Sequence, residues 1–189
     1  MPICRAEVSF WFLLSASVLP LACASFPYPS DYPLSSEYYT SRDGFLHYRV
    51  PSSWFDATRD SQDSSDFIWL VRKDYAATIS VREVKIDATA RQQISHEGLE
   101  KLAYLTMSLT GNDDSTVQLR SPETFTIAST AFCGYELVNV PSMDTLRVVL
   151  VDTGTKAYEV TALVAAGNER ASALEVFSVQ QAFLGSLRW

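Results

Sequence analysis

Histidine and cysteine, which most catalytic and metal sites need, are scarce in this sequence. Its 189 residues include 2 histidines and 3 cysteines. His47 and His96 lie far apart in the chain, without the H-x-x-x-H or H-E-x-x-H spacing of zinc sites. P-loop, G-x-S-x-G and G-x-G-x-x-G motifs are absent as well. We therefore predict neither a metal nor a cofactor, and we favour a protein that is not an enzyme.

The part of the chain that is expected to fold contains a single cysteine. Cys4 lies in an apolar N-terminal segment and Cys23 follows that segment directly, which leaves Cys133 alone. No disulfide can then form within the domain. Because Cys133 lies in an apolar strand-like segment, we expect a buried structural thiol rather than a nucleophile.

Positive charge is also limited. The chain has 15 Lys and Arg against 22 Asp and Glu, a formal net charge of −7. A nucleic-acid surface needs clustered Lys and Arg to replace the counterions around phosphate. We therefore predict no nucleic-acid partner.

Residues 1–22 are predicted to be a secretory signal. Arg5 gives a weakly positive start, and residues 8–22 form an apolar core that is too short for a membrane-spanning helix, which needs about 20 residues. Leu21-Ala22-Cys23 then resembles the lipobox of bacterial lipoproteins, although Pro20 stands where leucine is usual. The resemblance implies that Cys23 is acylated and becomes the new N-terminus.

Two cleavage sites compete at this point. Ala22-Cys23-Ala24 also fits ordinary signal peptidase, which would release a soluble secreted or periplasmic protein. We favour the lipoprotein, held in the cell envelope by a lipid on Cys23 and partnered by another envelope protein. Because Ala24 rather than Asp follows the cysteine, the expected destination is the outer membrane, facing the periplasm.

Residues 23–40 are rich in proline, serine and tyrosine. Each proline removes a backbone donor and restricts its neighbour, so we predict a semi-extended tether that reaches about 3 Å per residue. Its tyrosines could instead contact a partner. The candidate partner surface combines Tyr38 and Tyr39 with Trp54 of the following domain, where Trp54 is also expected to close one end of the core.

The globular domain, residues 41–189, is organised around a predicted β-hairpin. Residues 67–71 and 77–86 are rich in aromatic and β-branched residues and are joined by a short polar turn. In the second strand the apolar alternation slips by one residue between Val81 and Val84. A β-bulge near Arg82-Glu83 would keep both apolar sets on one buried face.

The remaining pattern predicts a sheet covered by helices. A strand at residues 45–50 ends at Pro51, and a helix begins at a Thr89–Gln92 capping box, contains Gly98 and ends at Gly111-Asn112. Further strands are predicted at residues 117–127, 131–140, 145–152 and 155–164. The last helix is capped by Asn168 and is apolar over a wide arc, expected to bury Leu174, Val176, Phe177, Val179, Phe183, Leu184 and Leu187.

Several short motifs resemble the PsbP-like family. They are Gly44-Phe45, Val50-Pro51 followed by Trp54, Gly134-Tyr135-Glu136, the strand 147–151, Tyr158-Glu159-Val160, and Phe183-Leu184-Gly185-Ser186-Leu187-Arg188. The family shares its fold with a Ran-binding nuclear import factor and with bacterial lipoproteins. The resemblance implies an α+β protein, an α/β/α sandwich with an antiparallel sheet of about six strands. It also implies a role in binding other proteins or assisting their assembly, and it brings no catalytic residue to this chain.

Three functional hypotheses follow. The first is a membrane-tethered, non-enzymatic binding or assembly module that acts through an exposed patch or sheet edge. The second is a carrier of a small ligand, which needs a cavity between sheet and helix that Phe67, Trp69 and Phe177 are expected to fill. The third is a hydrolase, which would have to gather His47 or His96 with carboxylates such as Asp43 or Glu83. We favour the first.

Overall fold

The computed structural model describes residues 28–60, 65–110, 115–167 and 171–189. The predicted signal, Cys23, the helix end at Gly111-Asn112 and Asn168 lie outside these residues. The N-cap of the last helix is Ser172 rather than Asn168, because the Ser172 hydroxyl accepts the Glu175 N–H at 3.2 Å. The strands are β1 Tyr39–Thr40, β2 His47–Tyr48, β3 Trp54–Asp56, β4 Asp66–Arg72, β5 Ala77–Val84, β6 Thr116–Ile127, β7 Thr130–Asn139, β8 Thr145–Asp152 and β9 Ala157–Val164. The helices are α1 Ala88–Glu97, α2 Leu99–Thr110 and α3 Ala173–Ser186.

Seven strands form one antiparallel sheet in the order β3-β4-β5-β9-β8-β7-β6, and β1 pairs with β2 separately. The predicted α+β class and antiparallel sheet are confirmed. The sheet has one strand more than expected because the chain extends again after the turn at Ser53, where Trp54 pairs with Arg72 and Phe55 with Val71.

The predicted hairpin is present as β4 and β5, but its bulge lies on the other strand. Asp66 pairs with Arg82 and Ile68 with Val81, so Phe67 is the extra residue, whereas β5 pairs with β9 without a break. The expected bulge at Arg82-Glu83 is therefore wrong. Val84 packs on the opposite side of the sheet from Val81, because helices cover parts of both faces and each face offers burial.

The predicted first helix is two helices. Gly98 separates α1 from α2 with a φ of 79°, and its N–H donates to the carbonyl of Ile94 at 2.8 Å. Glycine is needed at Gly98 for that backbone angle and not for close packing, since a Cβ there would meet nothing within 4 Å. The N-cap is Asp87 rather than Thr89, because the Asp87 carboxylate accepts the Ala90 N–H at 2.7 Å.

Helices pack on both faces of the sheet, as an α/β/α sandwich requires. The first face carries Ile79, Val149 and Val160, and α3 covers it with Phe177 and Phe183. On the second face, α1 and α2 cover one end, where they bury residues of β7 and β8; this cluster is Ile94, Leu102, Ala103, Cys133, Tyr135, Leu137, Val148, Leu150 and Ala157. Leu174 at the start of α3 is 63% exposed, unlike the other apolar residues expected to be buried there.

Residues 28–40, here called the N-terminal arm, lie against the domain instead of extending away from it. The Ser35 N–H donates to the Val50 carbonyl at 2.8 Å, and the Ser52 N–H donates to the Pro33 carbonyl at 2.9 Å. The prolines lack donors, yet their carbonyls and neighbouring N–H groups can still pair with another segment. The described part of the predicted tether therefore packs as part of the folded structure.

No helix among the described residues is both long and apolar enough to cross a membrane.

Candidate functional site

No helix of the described residues covers the second face of the sheet over β4, β5 and β9, and this part forms a shallow groove. Helix α2 packs over β6, β7 and β8 and stops short of the groove. The volume of the groove is about 340 Å³. We call it the open groove; its lining residues are Asp66, Trp69, Thr78, Ser80, Arg82, Leu146, Val148, Glu159, Thr161 and Leu163.

Strand register arranges the floor of the groove in three rows. Directly paired residues project from the same face of a sheet, so each row crosses three neighbouring strands. The rows are Asp66-Arg82-Glu159, Trp69-Ser80-Thr161 and Val71-Thr78-Leu163. The groove thus changes from charged at one end, through hydroxyls and an indole, to apolar at the other.

A second hollow continues the open groove past Trp69. Its volume is about 360 Å³, and Trp69 and Thr78 line both spaces. Tyr75 is 75% exposed beside it, with its ring centroid 6.0 Å from that of Phe55. Exposed aromatic rings next to a groove are typical of surfaces that bind other proteins.

The charged row contains one carboxylate with few partners. Arg82 Nε lies 2.6 Å from Asp66 Oδ1, so these two charges are paired. The Glu159 carboxylate accepts a hydrogen bond from the Thr161 hydroxyl at 3.2 Å, the one hydrogen bond of this side chain within the described residues. Burial raises the pKa of Glu159, although Thr161 and the charge of Arg82 both act to lower it. The half-buried Glu159 carboxylate is therefore a site that a cation would stabilise.

The lining residues suit non-covalent binding better than catalysis. They include no histidine, cysteine or lysine. The Thr161 hydroxyl donates to the Glu159 carboxylate at 3.2 Å, but the lining holds no histidine or lysine that would act on it as a stronger base. Apolar walls with a few polar groups are what a binding groove requires.

One solved structure decides the fold. The Ran-binding protein Mog1p of Saccharomyces cerevisiae superposes with a TM-score of 0.51 and 12% sequence identity, over 82% of this chain and 96% of Mog1p. The chain has the Mog1p fold. The predicted fold, which the PsbP-like family shares with a Ran-binding import factor, is confirmed. At this identity the likeness concerns the fold alone.

A cyanobacterial PsbP from Synechocystis also superposes, with a TM-score of 0.49 and 12% identity over 80% of this chain and 91% of that protein. No protein-family model matches the sequence. No curated protein matches it in sequence either.

Within this Mog1p fold, the three aromatic residues of the predicted partner surface do not form one patch. Tyr38 is 51% exposed and Tyr39 is 39% exposed, but they line different hollows. Trp54 is 5% exposed and belongs to the core under α3, because its position in β3 directs it inward. Its expected role at the end of the core agrees with this burial, and its expected role on a partner surface does not.

The open groove was missed at the level of sequence, although a signal for it exists. On β5 the polar Thr78, Ser80 and Arg82 alternate with buried apolar residues. On β9 Glu159 and Thr161 alternate in the same way. Two adjacent strands with one polar face indicate an exposed half of a sheet.

The residues of the hydrolase hypothesis are not brought together. His47 lies on β2, beside α3, with Nδ1 3.2 Å from the Thr40 hydroxyl. His96 lies on α1, on the other side of the sheet. Asp43 and Glu83 do approach each other, but it is Lys156 that joins them, at 2.8 and 3.8 Å. Within the described ranges no three His, Cys, Asp or Glu residues are grouped to hold a metal ion.

The Asp43 cluster is instead a structural contact. Burial alone would raise the pKa of Asp43, but hydrogen bonds from Lys156, Ser41, the Phe45 N–H and Tyr158 together lower it. Cys133 is buried on β7, and burial raises the pKa of its thiol to about 11. This agrees with the expected structural thiol.

The space between the sheet and α3 is filled by apolar side chains and by Arg147 of β8, one of the largest fully buried side chains. Arg147 is fully buried, and its guanidinium donates to Gln180 Oε1 at 3.1 Å, Gln181 Oε1 at 2.7 Å and the Phe177 carbonyl at 3.3 Å. Burial lowers the pKa of Arg147 to about 10. Phe67 and Phe177 help to fill this core as predicted, whereas Trp69 lies in the open groove.

The N-terminal arm closes this buried site. The ring centroid of Tyr28 lies 4.7 Å from Arg147 Cζ, and the Tyr28 hydroxyl donates to Glu136 Oε1 at 2.6 Å. Burial and the Glu136 carboxylate raise the pKa of Tyr28 to about 12. No room for a ligand is left at Arg147, so the described geometry gives no support to a small-ligand carrier.

Proposed function

We propose that this protein is a non-enzymatic binding module that recognises another protein through the open groove and is held at a bacterial membrane by a lipid on Cys23. Its partner is an envelope protein, and its place is the outer membrane facing the periplasm. Release as a soluble periplasmic or secreted protein is the alternative outcome of processing.

The observation that carries the proposal is the uncovered half of the second face. Covering a sheet face with a helix is the usual way to bury apolar area, and here Trp69, Leu146 and Leu163 are left only half-buried. Tyr75 and Phe55 extend the aromatic surface beyond Trp69. A hydroxyl-rich floor between apolar walls can pair with the polar groups of a docked polypeptide.

Two further observations support the proposal. The Mog1p fold occurs in a protein described as Ran-binding, so the fold is compatible with protein recognition. The sequence Leu21-Ala22-Cys23 supports lipidation, and Cys23 lies five positions before Tyr28, where the N-terminal arm begins.

Site-specific photocrosslinking tests the groove. A benzoylphenylalanine at Thr78, in the floor shared by both hollows, is compared with one at Glu37, an exposed residue of the arm that lines neither. Irradiated cells should yield a discrete higher-mass adduct from Thr78 that Trp69→Ala removes. Adducts of equal yield at Thr78 and Glu37, or at neither, would contradict a partner site in the groove.

Intact mass and detergent partition test the anchor. The native protein should begin at Cys23, carry an acyl-sized mass increment and enter the detergent phase, and Cys23→Ser should abolish all three. If both proteins are soluble and begin after Ala24, the proposal of a lipid anchor is wrong. The proposal of a binding groove is tested separately, by the photocrosslinking experiment.

A further inference from the structure

We propose that the open groove takes an extended peptide segment with a lysine or arginine over Glu159 and apolar residues two and four positions further along. This inference rests on the proposed function, since it names the partner chemistry of the same groove. It turns a general binding face into a sequence pattern that can be searched for and tested.

Charge selects the first side chain of that pattern. The charged groups that line the groove are Asp66, Arg82 and Glu159, which sum to −1. Asp66 and Arg82 neutralise each other at 2.6 Å, and this leaves the Glu159 carboxylate as the net charge of the floor. A lysine or arginine placed here would supply N–H donors to Glu159, and such charge-assisted bonds are strong where water is partly excluded.

The net charge of the whole protein also favours a positively charged peptide. Its formal net charge of −7 attracts cationic segments over a range of about 10 Å at ordinary ionic strength and repels a second copy of the chain. A basic peptide is therefore a better occupant than an acidic peptide or another copy.

Spacing selects the other two side chains. Along β9, Glu159, Thr161 and Leu163 mark the three rows of the floor at intervals of two residues. Alternate residues of any extended strand are about 6.6–7 Å apart, so a peptide that lies along β9 repeats the interval of the rows. A cation over Glu159 then places its i+2 side chain over Thr161, in the row that contains Trp69, and its i+4 side chain over Leu163 and Leu146.

The binding partners in the test are synthetic. The probe is a fluorescein-labelled Gly-Ser-Lys-Ser-Leu-Ser-Leu-Ser-Gly peptide, with Lys→Gln and Lys→Glu versions as comparisons, titrated by anisotropy. The full-length mature protein is compared with Glu159→Gln and with Glu37→Gln, which removes the same charge from an exposed position outside the groove. Circular dichroism and thermal denaturation confirm that each variant folds.

The expected result is a selective coupling between lysine and Glu159. The native protein and Glu37→Gln should bind the lysine peptide about tenfold more tightly than the glutamine peptide, the scale of one ion pair at a partly buried site. Glu159→Gln should remove that preference and leave the affinity for the glutamine peptide nearly unchanged, as a double-mutant cycle requires.

The outcomes separate the inference from the proposed function. Binding that depends on Trp69 but not on Glu159 or the peptide charge would overturn the inference and retain the binding groove. An equal loss in Glu159→Gln and Glu37→Gln would show a general field effect and would also overturn it.

Two results would contradict the groove itself. One is that Trp69→Ala weakens the binding of none of the three peptides. Ser80→Arg, which blocks the middle row without burying a charge, serves as a second variant should Trp69→Ala fail to fold. The other is a native dimer in sedimentation that Ser80→Arg dissociates, since the groove would then be filled by a second copy.

Discussion

The two faces of the sheet treat a charged residue in opposite ways. On the first face Arg147 of β8 is fully buried, and two glutamines and a carbonyl of α3 accept its hydrogen bonds. On the second face Glu159 of the neighbouring β9 is half-buried, and its carboxylate has one hydrogen bond within the described residues. Burial disfavours the charged form of both residues, but the arginine has a set of fixed acceptors, whereas the carboxylate faces a groove.

This difference distinguishes the face that contributes to stability from the face that is available for recognition. A buried charge with its partners in place strongly constrains how a helix packs, and its loss leaves those partners unsatisfied. A half-exposed charge contributes little to folding but can be paired by an incoming group. The face under α3 is therefore expected to respond to substitution in stability, and the open groove in binding.

The largest effect is expected from Arg147→Met. Methionine keeps much of the apolar stem but leaves Gln180 and Gln181 without their donor, in a core that water does not reach. The free energy of unfolding should fall by about 3 kcal/mol, measured by urea denaturation. Restoring an apolar match with Gln180→Leu and Gln181→Leu in the same chain should recover part of that loss.

Arg82→Met is the matched control, since it removes the same side chain from the open groove. It should lower the free energy of unfolding by about 1–2 kcal/mol, less than Arg147→Met, because Arg82 is exposed although its partner Asp66 is buried. Equal losses in the two methionine variants would contradict the division between the faces.

A smaller loss is expected from Tyr28→Phe in the N-terminal arm. The substitution keeps the ring on Arg147 and removes one hydrogen bond to the buried carboxylate of Glu136. We expect the free energy of unfolding to fall by about 1.5 kcal/mol, as is usual for a hydrogen bond to a charged group. Tyr38→Phe provides the control, because Tyr38 is half-exposed; if both variants kept native stability, the arm would not belong to the folded unit.

Asp43→Asn tests a charge at the margin of the first face. The pKa of Asp43 is lowered from its ordinary 3.8, so Asp43 stabilises the folded state above that value and the contribution is lost as the pH falls through the lowered pKa. The variant should lose about 1 kcal/mol at pH 7 and should differ less and less from the native protein as the pH drops below 3.8. A difference that stays constant with pH would mean that Asp43 acts through packing and not through its charge.

The sheet could be predicted because its strands alternate clearly. Residues 145–152 and 157–164 show apolar runs on both sides of a Gly154 turn, and the structure pairs them in register. The sequence also shows Gly98 within the helical pattern, but it does not predict that the helix ends there, since a glycine can either allow close packing or end a helix. Tertiary context decided between those two roles.

The open groove could not be predicted with the same ease. Residues 67–71 are apolar throughout, so alternation does not tell which face Trp69 occupies, and the bulge at Phe67 sets that phase. Nothing in the sequence marks Arg147, the one basic residue in the apolar strand 145–152, as a buried residue. Its acceptors, Gln180 and Gln181, lie more than 30 residues later on α3, and only folding brings them to it.

The smallest effect on stability, and the one of opposite sign, is expected from Glu159→Gln. Burial raises the pKa of Glu159, so its charged form is a cost to the folded state above the raised pKa, and this cost vanishes below the ordinary value of about 4.5. Glutamine keeps an acceptor for the Thr161 hydroxyl without the charge, and should stabilise the protein by about 0.5 kcal/mol at pH 7 but not at pH 4. Thermal denaturation at pH 7 and at pH 4 measures this change in stability, with Glu37→Gln as the control. If Glu159 lowers the stability of the fold at neutral pH and also strengthens the binding of a cationic peptide, its role is recognition. If Glu159→Gln is instead less stable than the native protein, Glu159 is a structural residue like Arg147.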